Sequence, residues 1–212
     1  MTLHIFPLQM VAFPHEEVPL HIFEPRYRVL MAHCEATGDP FGLTPVHEGK
    51  VVRAGTALHL HAVAKRYDDG RLDVVCRGSY TFTVRRFLPE PSEQTAHRAE
   101  ITPLAGDDTA DAMLAERVLA QYKKFHELIR TFHVPAIRTG VPLSFQLAHT
   151  CGLPTAGKIQ LLELDSENHR LQLLAMHLQK LIPTVEEIEQ TRAKIRQNGH
   201  YRVLPGGDFK FE

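Results

Sequence analysis

The segment PLHIFEPRYRVLMAHCEATGDPFGL, residues 19–43, changes pattern in its middle, and that change decides how the chain is read. Pro7, Pro14 and Pro19 stiffen the extended stretches on its N-terminal side and deny them ladder donors, so strand pairing there is selective. Glu24-Pro25 then opens a helix, because proline suits the first helical turn, where its missing N–H is not needed. The helix runs through RYRVLMAHCEA to Gly38. Leu20, Ile22 and Phe23 are placed to pack beneath it, Cys34 lies with Leu30 on its apolar side, and Glu24 and Arg26 read as a buried structural pair.

Downstream, TALHLHAVAKRY alternates as a half-buried strand does, and RLDVVCRG, YTFTVRRFL and AHRAEITPL follow as further strands. Asp68-Asp69-Gly70 joins the first two as a hairpin loop, and Arg77-Gly78-Ser79 reads as a turn between the next two. The composition changes at PLAGDDTADAML, which puts a boundary at residues 104–110. Beyond it the pattern is helical: Leu114, Val118, Tyr122, Phe125, Ile129 and Phe132 share one face. PLSFQLAHTCG, PTAGKIQLLEL and SENHRLQLLAMHLQKLI follow. Ser166 supplies N-cap chemistry to the last of these, and Pro183 is expected to separate it from a final helix, PTVEEIEQTRAKIRQNG. The expected units are a strand-rich one over 1–106, a helical one over 107–200, and a loosely held C-terminal tail, 201–212.

With 212 residues, 43% hydrophobic and 23% charged, the chain has the composition of an ordinary globular protein. A formal net charge of -1 argues against a general appetite for nucleic acid or anionic membrane. The N-terminus lacks a positive n-region and is interrupted by Pro7, so neither a signal peptide nor a membrane span is expected. Cys34, Cys76 and Cys151 are far apart and odd in number; a disulfide framework is not expected, and a reducing cytoplasm fits.

The stretch CGLPTAGKI, residues 151–159, imitates a nucleotide-binding loop, with Gly152 and Gly157 bracketing four residues before Lys158. A true phosphate loop needs a strand before it and a hydroxyl after the lysine. Here SFQLAHT is helical in character, Ile159 replaces the hydroxyl, and Pro154 removes one N–H of the cradle. The segment reads as a joint between helices, with Gly157 inside the second.

The 14 histidines invite a metal. His59 and His61 share a strand face and His126 and His133 a helix face, but no C-x-x-C or H-E-x-x-H set occurs, and no metal or cofactor is expected. No serine stands in G-x-S-x-G; Ser144 and His149 are five apart on a helix and face different ways, and His33 and Cys34 are adjacent. Glu186 and Glu187 lead the last helix toward Arg192, Lys194 and Arg196, as its dipole favours.

The opening block also resembles a family. Pro7, Leu8, Val11, Phe13 and Pro14, then Pro19, Leu20 and Ile22 to Tyr27, then Phe41-Gly42, match the start of the Lon-type N-terminal domain, which binds substrates for the ATP-dependent protease Lon. The likeness continues through AGTALHLHAV, DGRLDVVCRGSYTFTVRRF and LLELDSENHRLQLL. His15 stands where the family usually has glycine, a departure at that turn. The resemblance implies an α+β fold, with an N-terminal PUA-like β-barrel carrying an inserted helix and a C-terminal α-helical bundle. Pro7, Pro14, Pro19, Glu24, Pro25, Arg26, Gly42 and Gly78 would be structural members of the motif. It further implies a non-catalytic module that binds unfolded or apolar polypeptide, in a groove between barrel and bundle or along a barrel edge. The expected binding residues are His21, Phe23, Tyr27 and Phe41. The family's ATPase and Ser-Lys protease modules have no counterpart in the 212 residues, so no enzymatic activity is expected. Alternatives are an RNA-binding barrel using Arg66, Arg71, Arg77, Arg85 and Arg86, or an adaptor that docks onto a separate protease through its helices.

Overall fold

The computed structural model describes residues 1–89, 95–131 and 136–198. The expected tail, 201–212, and the helix-face residues Phe132 and His133 lie outside the described residues. Strands come first: β1 (Thr2–Leu8), β2 (Glu17–Ile22), β3 (Phe41–His47), β4 (Lys50–Val51), β5 (Ala54–Arg66), β6 (Leu72–Leu88) and β7 (His97–Pro103). One helix, α1 (Pro25–Thr37), interrupts them, and α2 (Ala112–Leu128), α3 (Leu143–Leu147), α4 (Thr155–Glu163) and α5 (Glu167–Asn198) follow. The class is α+β.

The sheet closes on itself. β1 pairs antiparallel with β7, β7 with β6, β6 with β5 and β5 with β3, and β3 returns to β1 in parallel. Leu3, Ile5, Ala57, Phe82, Val84, Ala99 and Ile101 fill the interior. Phe82 takes so much of that space that a Cβ on Gly42 would lie 2.6 Å from its ring, which explains the small residue after Phe41. Past Ile5, β1 has no β7 partner, and that is where Pro7 stands.

Outside the barrel, α1 lays Tyr27, Leu30, Met31 and Cys34 over Phe6, Phe41, Leu43 and the inner residues of β2. Pro25 occupies the first helical turn, and Gly38, at φ 75°, ends the helix. Glu24 and Arg26 do pair, at 3.2 Å, but both are partly exposed; the expectation of a buried pair is corrected, and such a pair contributes little.

Two other expectations fail for physical reasons. β6 runs unbroken through Arg77-Gly78-Ser79. The glycine is there because the turn of residues 13–16 crosses it: a Cβ would lie 2.1 Å from the Phe13 carbonyl oxygen. His15 N–H donates to Gly78 O and Gly78 N–H to Glu16 O, each at 2.9 Å. His15 holds this turn at φ 64°, a conformation unfavourable to residues with a Cβ. Likewise α5 continues through Pro183. The Gln179 carbonyl that loses its helical donor is on an exposed residue, as is Pro183, so water can satisfy it.

Barrel and bundle share one core. Val11, Phe13 and Ala54 join Val118, Tyr122, Phe145, Leu161, Leu171, Leu174 and Leu178. Phe13 stacks on Phe145 with centroids 5.5 Å apart, and Glu16 meets His149 at 3.2 Å. No helix among the described residues is long and apolar enough to cross a membrane.

Candidate functional site

The residues expected to bind polypeptide divide by burial. Tyr27 is 6% exposed and Phe41 0%; Phe6 stacks on Tyr27 at 3.8 Å and approaches Phe41 at 6.3 Å. Both rings serve the core beneath α1 and offer no surface to a ligand, which corrects that part of the expectation. Phe23, by contrast, is 60% exposed, and His21 beside it is exposed too.

Strand alternation explains the division. On β2, Val18, Leu20 and Ile22 point inward, so Glu17, Pro19 and His21 point out. His21 lies opposite Asp73 of β6, and Asp73 opposite Lys65 of β5, which makes a row across three strands. His21 Nδ1 is 2.6 Å from Asp73 Oδ1, and the Tyr67 hydroxyl donates to Asp73 Oδ2 at 2.8 Å. Those two hydrogen bonds, His21's the larger, hold the Asp73 carboxyl below its ordinary range. Lys65 Nζ sits 4.3 Å from the Tyr67 ring centroid, Arg71 sits 5.1 Å from it, and the His21 ring approaches Phe23 at 6.3 Å.

The result is an outward face with an exposed aromatic, a second ring clasped by two cations, and a carboxylate whose partners are fixed. β2 has β6 as its only strand partner among the described residues, so its other edge carries no strand ladder. Sequence reading found His21 and Phe23, named Arg71 only for the RNA alternative, and missed Lys65, Tyr67 and Asp73. The hairpin at Asp68-Asp69-Gly70 was the available signal, since it folds residues 65–67 back beside 71–73.

The junction between barrel and bundle is less accommodating. A cavity of about 80 Å³ lies there, bordered by His15, Tyr80, Phe145 and Arg170, with room for water and not for an extended chain. Beneath it, Ser144 Oγ donates to Glu167 Oε2 at 2.6 Å, and Arg170 Nε donates to the same oxygen at 3.0 Å. Arg170 Nη1 reaches Leu164 O at 3.0 Å and Nη2 reaches Asp108 at 2.6 Å. Ser144 and Glu167 are 0% exposed. Ser144 is thus a structural donor in a closed network, and His149 turns instead to Glu16 and Phe13.

The remaining candidate residues are dispersed. Gly152, at φ 73°, precedes Pro154, the N-cap of α4; Gly157 is buried in that helix against Leu153, so no phosphate cradle forms. His59 and His61 are exposed on β5 while His126 is buried between Tyr122 and Phe125. Among the described residues no group of three or more His, Cys, Asp or Glu side chains converges to hold a metal ion. Of the arginines expected for RNA, Arg66 pairs with Glu35, Arg71 with Asp69 and Arg86 with Glu100.

Comparison with known proteins bears on this geometry. The ATP-dependent protease La (LON) substrate-binding domain family matches residues 2–180. The fold is shared with a Lon N-terminal domain protein from Xanthomonas campestris, at TM-score 0.65 and 23% identity over 82% of this chain and 96% of that one. It is shared too with the N-terminal domain of Mycobacterium avium complex Lon protease, at TM-score 0.63 and 18% identity over 84% and 98%. Among curated proteins, no sequence matches.

Proposed function

We propose, from the premise that this chain belongs to the ATP-dependent protease La (LON) substrate-binding domain family, that it is a non-catalytic module that binds unfolded or apolar polypeptide. The observation that carries the reading is Phe23, 60% exposed at the end of an edge strand. A large ring held in water beside His21, Tyr67 and two cations is the kind of surface that gains by being covered. An extended client would add backbone bonds along β2 and bury an apolar side chain against Phe23. Pro19 withholds one donor from that strand, which limits promiscuous strand pairing.

No catalytic role is assigned to Ser144, whose hydroxyl is committed to Glu167. The three cysteines are free and buried, which accords with a reducing cytoplasm. Three of the five arginines of the RNA reading are already in ion pairs, which weighs against it.

The test is fluorescence anisotropy of a labelled, permanently unfolded polypeptide, with its folded counterpart as control. Saturable binding to the unfolded form alone is expected. Phe23→Ala should weaken it about tenfold or more, since covering an exposed aromatic contributes roughly 1.5–3 kcal/mol. Absence of binding at high micromolar concentration refutes the function, and undiminished binding by the variant refutes the site.

A further inference from the structure

On the side of the barrel where β7 begins, two cavities share one wall residue, Arg98. The larger, about 480 Å³, is bounded by Ile5, Pro7, Val51, Phe87, Leu88 and Pro89, together with His97 and Arg98. Its size is in the range of ordinary ligand sites, roughly 300–1,000 Å³. The smaller, about 290 Å³, is bounded among others by His4, His33, Asp39 and Arg98. The juxtaposition follows from register: His4 lies opposite Arg98 across the β1–β7 pair, and that pairing ends one step later at Ile5 and His97.

Arg98 is in an unusual position for a guanidinium. Among the described residues it makes no ion pair, and its Nε is both shielded from solvent and without a hydrogen-bond partner. His4 Nδ1 is in the same state. The nearby acid, Asp39, is engaged with His33 at 3.4 Å, and the His33 ring meets His4 edge-on at 5.6 Å. Burial, then the neighbouring His33 and, less, Arg98, disfavour a proton on His4, against a hydrogen bond with the Ala96 backbone that favours it. An unpaired, partly desolvated guanidinium is stabilised by an oxyanion. A single guanidinium beside the Asp39 carboxylate suits a monoanion better than a dianion. A wall of apolar side chains adjoins it, with Val51 and Phe87 each 39% exposed.

We infer that this double cavity receives the C-terminal end of a client polypeptide, its free α-carboxylate on Arg98 and its last apolar side chains against Phe87 and Val51. In a C-terminal residue the carboxylate and the side chain leave the same carbon atom, so one residue can satisfy adjoining charged and apolar sites. An internal Asp or Glu carries its charge on the side chain itself. Capture of a terminal carboxylate is an established mode of peptide recognition. The inference rests on the polypeptide-binding reading and specifies the part of the client that is bound. It concerns a different surface from Phe23, so a longer client would engage both.

The experiment uses the full chain and three fluorescein-labelled peptides of one composition: an apolar C-terminus with free carboxylate, the same peptide amidated, and the same apolar residues moved to the interior. The free acid is expected to bind about tenfold tighter than the amide, as loss of a charge-assisted contact predicts. Arg98→Gln should bring acid and amide to equal affinity, whereas Phe87→Ala should weaken both. Equal binding of acid and amide by the wild-type protein overturns the inference, and this comparison requires no variant to fold. If the unfolded polypeptide binds while acid and amide do not differ, terminal capture fails and the general function stands. If neither the peptides nor the unfolded polypeptide bind, both fail.

Discussion

Replacing Arg170 by methionine should reveal how the bundle is held together. Arg170 is 1% exposed and Glu167 0%, and among the described residues their contact at 3.0 Å is the only one in which a cation meets that carboxylate. Methionine fills much of the space of the arginine stem but leaves a buried carboxylate held by the Ser144 N–H and hydroxyl alone. Breaking a buried pair from one side costs roughly 3–5 kcal/mol. For a chain of this size that corresponds to a fall in Tm of about 6–20 °C, at about 2–4 °C per kcal/mol. Adding Glu167→Gln to Arg170→Met should recover about 1–3 kcal/mol. The amide oxygen can still accept from Ser144 N–H, the amide nitrogen can donate to Ser144 Oγ, and no charge remains inside. Asp108→Ala, at the exposed end of the network, should lose less than about 1 kcal/mol. Thermal and urea denaturation followed by circular dichroism measure all four proteins. A loss below about 1 kcal/mol for Arg170→Met, or a double variant less stable than the single, would refute the account of the pair.

Gly78→Ala sets a new carbon 2.1 Å from the Phe13 carbonyl oxygen and should lower stability by roughly 2–4 kcal/mol, read as a shift in urea midpoint. His126 is buried with neither ring nitrogen hydrogen-bonded, so His126→Phe should raise stability by about 1–2 kcal/mol; a lowered Tm would argue against this. Burial pushes the thiols of Cys34 and Cys76 up to about 11 and about 12, and raises that of Cys151, so none should react with a disulfide reagent at pH 8 until urea unfolds the chain. Asp73 is held below its ordinary 3.8 by His21 and then Tyr67, so its contribution to stability is full above that value and fades as the pH falls through the lowered one. Asp73→Asn should flatten the acid limb of the stability curve below pH 3.8; an unchanged slope there would count against the row of paired side chains.

What could be read in advance was what local chemistry decides. Glu24-Pro25 and Gly38 bound α1, and Gly70 closes its hairpin, because proline and glycine act on their own backbone. Gly78 misled because its reason lies sixty-odd residues away in the chain, in a crossing turn that no local pattern encodes. Pro183 misled because the rule against helical proline assumes that the lost bond is buried. Tyr27 and Phe41 stand in the same motif as Phe23, but only the strand alternation and the position of Phe6 determine which ring faces water. The face of Lys65, Tyr67 and Asp73 needed the bulged register of β5 against β6, which depends on the whole barrel.

β1 is shared by two seams, one with β7 across residues 2–5 and one with β3 across residues 5–8. As the chain leaves the ribosome, the second seam can be made once β3 has emerged. The first must wait for β7, whose partners to β1 are residues 97–100. Contacts so distant in sequence form late, since loop closure must precede any gain from them. Until then the barrel is an open sheet with Leu3, Ile5 and Phe82 accessible to water. If the proposed function holds, the module spends its own synthesis in the state of the polypeptides it would bind.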